Sequence, residues 1–216
     1  MWILPSRGRP NNARRLIDAM RNTGCVSPVW MRLDDDDPTL DQYMNIPRPS
    51  QWVIVVGERK PLSDIYAEHY EAHPDSRWYG FIADDVVPET PFWERTLTRA
   101  ALLPSRKQGL AFGDDGINGG NHATHFILNG KMVREVGWLC LPGLERIYID
   151  TVWNDIARER KAFWYLPDVV LRHHHFSNGM ALMDATYRKP GKKHDLALYE
   201  KWRYNRAGHD EGSTDD

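Results

Sequence analysis

The chain carries two cysteines in 216 residues, Cys25 and Cys140, set far apart. That count excludes a disulfide scaffold and fits a reducing compartment. Long apolar runs are also missing. The apolar part of "MWILPSRGRP" is too short for a signal peptide, and no later stretch reaches the roughly 20 residues that a membrane span needs. These absences predict a cytoplasmic protein without a membrane partner. A formal net charge of −2 leaves no global pull toward nucleic acid. No GxxxxGK[ST] loop and no GxGxxG fingerprint occur, which disfavours a P-loop ATPase and a dinucleotide site. No internal repeat is found. What the chain does have is aromatic mass, nine Trp and nine Tyr, residues that fill cores and stack on sugars and bases. A chain of this length buries roughly 70% of the surface its unfolded form exposes, enough for a domain without staples.

Short apolar runs alternate with helical patterns. "WILP" from Trp2, "PVWMRL" from Pro28, "WVIVVG" from Trp52 and "WYGFIA" from Trp78 read as strands, the third apolar enough to be covered on both faces. Between them, Ala13, Leu16, Ile17 and Met20 share one helical face, with an Asn as cap, and Leu62, Ile65, Tyr66 and His69 share another. Thr90 and Pro91 suit the start of a helix running to about Leu103. This alternation predicts an α/β sandwich on a mainly parallel sheet. From Gly109 to Asn129 the pattern turns to strands with long loops. Then follow a short helix stopped by Gly137, a longer one over "IDTVWNDIARER", one or two strands over "FWYLPDVVLRHHHF", and a helix from His194 to about Arg203. The expected organisation is one domain over 1–187, with halves 1–105 and 106–187. A basic aromatic extension over 188–208 and a disordered acidic tail over 209–216 follow.

Several constellations stand at expected strand ends, where open α/β sheets bind ligands. Asp84 and Asp85 in "ADDV" are either turn chemistry or ligands of a hard divalent cation such as Mg²⁺ or Mn²⁺. In "RLDDDDP", Asp34 is the acid best placed to accept from a ribose or a base, and the other three read as a solvated turn. "PSRGRP" sets Ser6, Arg7 and Arg9 around Gly8 before a helix N-terminus, a combination that favours an anion such as a diphosphate and is otherwise a basic surface loop. In extended "LRHHHF", His173 and His175 share a face and can reach one metal, or else they are a polar strand end. "HATH" at His122 with Cys140 matches no usual zinc spacing. Asp150 opens a helix, as an N-cap or as a general base, and Asp155 one turn on reads as solvated.

Taken together, "LPSRGRP" after a first strand, an acid after the second, and a mid-chain "ADDVVP" resemble the GT-A-type glycosyltransferases. The run "KMVREVGWLCLPGLERIYIDTVWNDIA" resembles the acceptor region of family 2-like members. The likeness spans about Trp2 to His175, and the compact size resembles enzymes carried by bacteriophages. It implies a GT-A-like, Rossmann-type fold and transfer of a sugar from a nucleoside diphosphate with Mn²⁺ or Mg²⁺. Pro5, Ser6, Arg7 and Arg9 would lie along the nucleotide, Asp34 at the base and Asp84 at the ribose or sugar. Asp85 would ligate the metal as the last acid of a DxD-type motif whose first position here is Ala83. His173 or His175 would be a further metal ligand. Asp150 would be the base of an inverting enzyme, although retaining members need none. Trp93, Trp138 and Trp153 are stacking candidates that also suit a core.

For the donor, a UDP-sugar is the commonest choice in such enzymes. For the acceptor, the segment from Arg188 to Arg206 holds seven Lys or Arg beside Tyr199, Trp202 and Tyr204. That mix suits either a packed surface helix or a nucleic-acid contact, such as a hydroxymethylated base in phage DNA. A nucleotidyltransferase shares the fold but usually carries a lysine in its first loop, and no Lys precedes Lys60 here. A non-catalytic metal-binding module would explain the acids and histidines but not Asp150.

Overall fold

The computed structural model describes residues 1–103, 107–184 and 192–206. The expected tail over 209–216, and residues 188–191 and 207–208 of the extension, lie outside the described residues. Four strands run parallel: β1 (Trp2–Ser6), β2 (Val29–Asp34), β3 (Trp52–Gly57) and β4 (Trp78–Phe81). Next to β4 comes β7 (Phe126–Asn129), antiparallel to it and to β6 (Leu110–Asp114). β8 (Phe163–His173) then pairs parallel with β6, and β5 (Val86–Pro88) antiparallel with β8. The order across the eight-stranded sheet is β3-β2-β1-β4-β7-β6-β8-β5. The chain steps outward from β1 to β2 and β3, then returns to β4 on the other side of β1. That reversal opens a crevice beyond the carboxyl ends of β1 and β4, where such sheets take ligands.

Period-two alternation in β1 divides the core. Trp2 and Leu4 join one cluster and Ile3 joins the other, so the sheet is covered on both faces. On the first face lie α1 (Pro10–Asn22) and α4 (Trp93–Leu102), with Ala13, Leu16, Ile17 and Met20 all buried as their spacing predicts. Each large apolar side chain buried there contributes roughly 1.5–3 kcal/mol. The second face carries α3 (Leu62–Ala72), α5 (Gly130–Val136) and α6 (Ile149–Glu159), with α7 (Lys192–Arg206) packed against them through Tyr199. A short α2 (Leu40–Met44) follows β2. Gly80 is obligatory in β4, because a Cβ there would run into the Trp2 indole.

Several local expectations need correction. α1 begins with Pro10 after Arg9, without a side-chain cap, so no Asn caps it. α4 starts at Trp93 after a left-handed Phe92. Thr90 instead pairs with β8, accepting from the Val170 amide and donating to the Asp168 carbonyl, so its hydroxyl is taken by a strand. β3 is an edge strand with Val53 52% and Val56 41% exposed, so its apolar run does not mean two-sided cover. Asp155 is not simply solvated, since it accepts the Tyr199 hydroxyl at 2.7 Å. Trp93 and Trp153 are fully buried and Trp138 packs on Trp153 at 5.4 Å, so these rings belong to the core.

Candidate active site

The crevice is built from strand ends. The loop after β1 is held from three sides. Ser6 Oγ donates to Asp84 Oδ2 at 2.5 Å and shares a hydrogen bond with the Tyr43 hydroxyl at 2.8 Å. That hydroxyl also accepts the Arg9 amide at 2.8 Å, and Asp37 Oδ2 accepts the Gly8 amide at 2.8 Å. Asp37 is therefore a buried clamp and not part of a solvated turn. Its Oδ1 also accepts from the Thr39 amide, the Asx-turn pattern legible in "DPT". Tyr43 had no sequence signal, because its role depends on where α2 packs.

Pro5, Ser6, Arg7, Arg9, Asp34 and Asp84 all line one cleft of about 490 Å³. Asp34 is buried and its Oδ2 takes Arg7 at 3.0 Å, while Arg7 also grips Asp36. Beneath them the buried Arg32 donates to the carbonyls of Gly57 at 3.1 Å and Glu58 at 2.6 Å. Arg59, Lys60 and Arg146 line the same cleft, so its wall is cationic at several points.

Asp84 and Asp85 are both buried. Burial first, and then the charge of Asp85, push the Asp84 carboxyl above its ordinary range, against the pull of Ser6 and Arg9. The Arg9 guanidinium lies 3.4 Å from Asp84 and 3.1 Å from Asp85, and it also makes a two-point contact with Asp184 at 2.7 and 2.9 Å. The positive group in front of the paired acids is thus an arginine. β8 brings the histidines to the same place, because His173 pairs with Val86. His173 Nε2 is 3.4 Å from Asp85 Oδ1, and its ring packs on His125 at 4.9 Å and His175 at 5.1 Å. His175 Nδ1 is engaged with Ser177 at 2.7 Å.

Among the described residues, no three His, Cys, Asp or Glu side chains stand together as a ready metal site, for zinc or for another cation. A carboxylate–imidazole pair is nevertheless present in Asp85 and His173, and the buried His173 Nδ1 has no hydrogen-bond partner. Two protein ligands suit a hard cation that completes its shell with phosphate oxygens and water. The donor set therefore fits a hard divalent cation and not a structural zinc.

A second cleft of about 400 Å³ adjoins the first, sharing Leu62, Ala83 and Arg146 in its wall. Asp150 lines it from the first turn of α6, where it is not the cap: Tyr148 is, with φ 66°. Asp150 Oδ2 pairs with His122 Nε2 at 3.0 Å, and that hydrogen bond raises the His122 pKa above its ordinary value. His125 faces the same cleft. Burial first, then His173, lower it to about 3, so it is neutral. The His122–Asp150 pair was invisible in sequence, since 28 residues separate the partners.

The eight-stranded mixed sheet with its cleft at the β1/β4 reversal is the GT-A-like fold of nucleotide-diphospho-sugar transferases. One similar solved structure is glucosyl-3-phosphoglycerate synthase from Mycobacterium tuberculosis in complex with Mn²⁺, UDP and glucosyl-3-phosphoglycerate. It has a TM-score of 0.62 and 10% identity over 98% of this chain and 80% of that one. A mannosyltransferase from Pyrobaculum calidifontis in complex with GDP-Man and Mn²⁺ gives 0.58 and 12% over 96% of this chain, which spans 60% of that enzyme. A cytidylyltransferase from Leptospira borgpetersenii gives 0.55 and 8% over 95% and 94%. At such identities the likeness establishes the fold alone. No protein-family model and no curated protein matches the sequence.

Proposed function

We propose that the protein is a glycosyltransferase that moves a sugar from a nucleoside diphosphate to an acceptor hydroxyl. One observation carries this reading. The cationic cleft lined by Asp84 adjoins a second cleft lined by Asp150, with Leu62, Ala83 and Arg146 in the wall of both. A donor site next to an acceptor site with its own base is what sugar transfer needs.

In this reading the bond from the sugar C1 to the β-phosphate oxygen breaks, and the leaving diphosphate keeps the electron pair. Arg9 and Arg146, which line the donor cleft, meet that charge with fixed guanidinium donors. Asp34 and Ser6 hold the nucleoside end, and Asp84 holds the sugar or ribose. The acceptor oxygen forms the new bond to C1, and its proton passes to Asp150, which implies inversion. A Mn²⁺ or Mg²⁺ ion would be held by Asp85 with His173, and His175 stands next in line. Its chemistry would be neutralisation of the diphosphate. Arg9 would then turn from Asp85 toward the phosphates, because both cations compete for one carboxylate.

The donor base and sugar follow from the test below, with UDP-glucose as the first probe. The modified-DNA acceptor gains no support from α7: Tyr199 is buried against Tyr148, and Trp202 lies under Arg206. A second reading, nucleotidyl transfer, is favoured by the likeness to the cytidylyltransferase and by Lys60 in the cleft wall. Thermal stability against nucleotides and sugar nucleotides, with and without Mn²⁺, separates the two. Glycosyl transfer predicts a metal-dependent rise of several degrees with one diphosphate sugar, lost in Asp85→Ala. A response to triphosphates alone would favour nucleotidyl transfer. No response to any of them would sink both.

A further inference from the structure

The helix α7 holds a carboxylate that the reaction does not use. Asp195 has 0% exposure, as buried as any apolar residue in the core. A buried carboxylate is costly unless hydrogen bonds replace its water. Here they come from three consecutive backbone amides. Asp195 Oδ1 accepts from Glu145 at 2.8 Å, and Oδ2 accepts from Arg146 at 3.0 Å and Ile147 at 2.9 Å. Successive amides that converge in this way form a concave anion site, and an internal acid fills this one.

Those three residues lie at the seam of the two clefts. Glu145 lines the first, Ile147 the second and Arg146 both. Immediately after them Tyr148 takes a left-handed conformation, φ 66°, which a residue with a bulky side chain rarely adopts. α7 supports that residue as well. Tyr199, one helical turn beyond Asp195, stacks on the Tyr148 ring at 5.0 Å and 12°, and its hydroxyl donates to Asp155 of α6. His194 Nε2 meets the Gly143 carbonyl at 3.1 Å. The loop is therefore gripped from Gly143 to Tyr148 by one face of one helix.

We propose that α7 is a latch, and that Asp195 is a positioning residue that sets Arg146 against the donor and Asp150 against the acceptor. The proposal rests on the glycosyltransferase reading for its functional half. Its structural half, the grip on residues 145–147, stands apart from that reading. The amides fix the loop, the loop fixes the strained Tyr148, and Tyr148 caps the helix that presents Asp150. Without the carboxylate, three backbone amides lose their acceptor and the loop leaves the seam.

The test is Asp195→Asn, which keeps the shape but replaces one acceptor oxygen with an amide that cannot accept. Hydrogen exchange at Glu145, Arg146 and Ile147 is expected to accelerate by about tenfold or more, with amides of β1 and β2 unchanged. Affinity for the sugar nucleotide that stabilises the wild type should fall by about tenfold, and kcat should fall further than the change in KM accounts for. Lys201→Ala, on the exposed side of the same helix, should change none of these. If Asp195→Asn does not fold, Tyr199→Leu tests the same grip through the Tyr148 stack, with the same amides as readout. Unchanged exchange at 145–147 overturns the latch. Faster exchange with unchanged affinity and kcat overturns its positioning role and leaves the donor site intact. A wild type that binds no sugar nucleotide overturns the glycosyltransferase reading and, with it, the functional half of the latch, whatever the exchange shows.

Discussion

At the residue scale, the pair that bears most directly on the proposed chemistry is His122 and Asp150. Asp150 faces the second cleft, and His122 stands behind it at 3.0 Å. The charged groups acting on His122 are Asp150 and Asp115, which favour its cationic form, and Arg158, which opposes it. In the proposed reaction, protonated His122 holds the Asp150 carboxylate in a charge-assisted hydrogen bond that competes with the acceptor hydroxyl. As pH rises through the raised His122 pKa, that hold is lost and the carboxylate is released to the acceptor. The rate is therefore expected to climb above pH 6.5, the ordinary value, with the step removed in His122→Gln. Asp150→Asn should cost about 10²–10⁴-fold in kcat while donor binding persists. The linkage has the opposite sign for stability. A raised folded pKa gives stabilisation that is fully present below 6.5 and is lost as pH rises through the folded value. His122→Gln should thus destabilise by up to about 1 kcal/mol at pH 5.5 and by nothing at pH 9, as read by urea unfolding. A rate profile identical in wild type and variant would remove His122 from the reaction.

At the element scale, the connection between α1 and β2 has no regular structure of its own and borrows its order from α4. Glu94, 2% exposed, accepts from the Val26 amide at 3.1 Å, the Ser27 amide at 3.2 Å and the Cys25 thiol at 2.9 Å. Burial, and then this acceptor, push the Cys25 thiol far above its ordinary pKa, so it stays protonated and unreactive. Glu94→Gln places an amide against those donors. It should cost about 1–3 kcal/mol and speed alkylation of Cys25, with Cys140 unaffected in the folded state. Equal labelling of both thiols would mean that the turn does not open separately. Nothing in "GCVSP" announces this contact, because its partner lies 67–69 residues away. Elements with a strong period were legible: α1 and α3 follow from apolar spacing, and β1, β2 and β4 from short apolar runs. What the sequence hid was pairing. β5 is three residues long, and β8 shifts register between Gly113 and Asp114 of its neighbour, so neither leaves a clean alternation. β3 reads as buried, yet only its place at the edge decides its exposure. The candidate site was legible where strand ends carry it, at Ser6, Arg9, Asp34, Asp84 and Asp85. It was not legible where tertiary packing supplies it, at Tyr43, His122, Arg146 and Asp184.

At the scale of the whole molecule, the question is whether the two halves expected from sequence, 1–105 and 106–187, are separate units. The sheet argues for one. β4 of the first half pairs with β7 of the second, and β5 of the first pairs with β8 of the second, so the halves exchange strands at two places. The core does the same. One apolar cluster joins Trp2 and Trp93 to Val169 and Leu171, and the other joins Ile3 and Tyr79 to Trp153 and Tyr199. Neither half can bury its apolar surface alone, which makes its independent unfolding expensive. We therefore expect a single cooperative transition in urea. Indole fluorescence reports both clusters, through Trp2 and Trp93 on one face and Trp153 on the other. It should coincide with far-ultraviolet circular dichroism and with exposure of the buried Cys140 thiol. The first cleft is lined by residues from β1, β2 and the loop before α6, so a ligand that fills it would bridge all three. At a concentration 100 times its Kd it should move all three curves together by about 2.7 kcal/mol. If Cys140 became reactive at a lower urea concentration than the fluorescence midpoint, the second half would be opening by itself. The strand exchange would then be too weak to couple the halves.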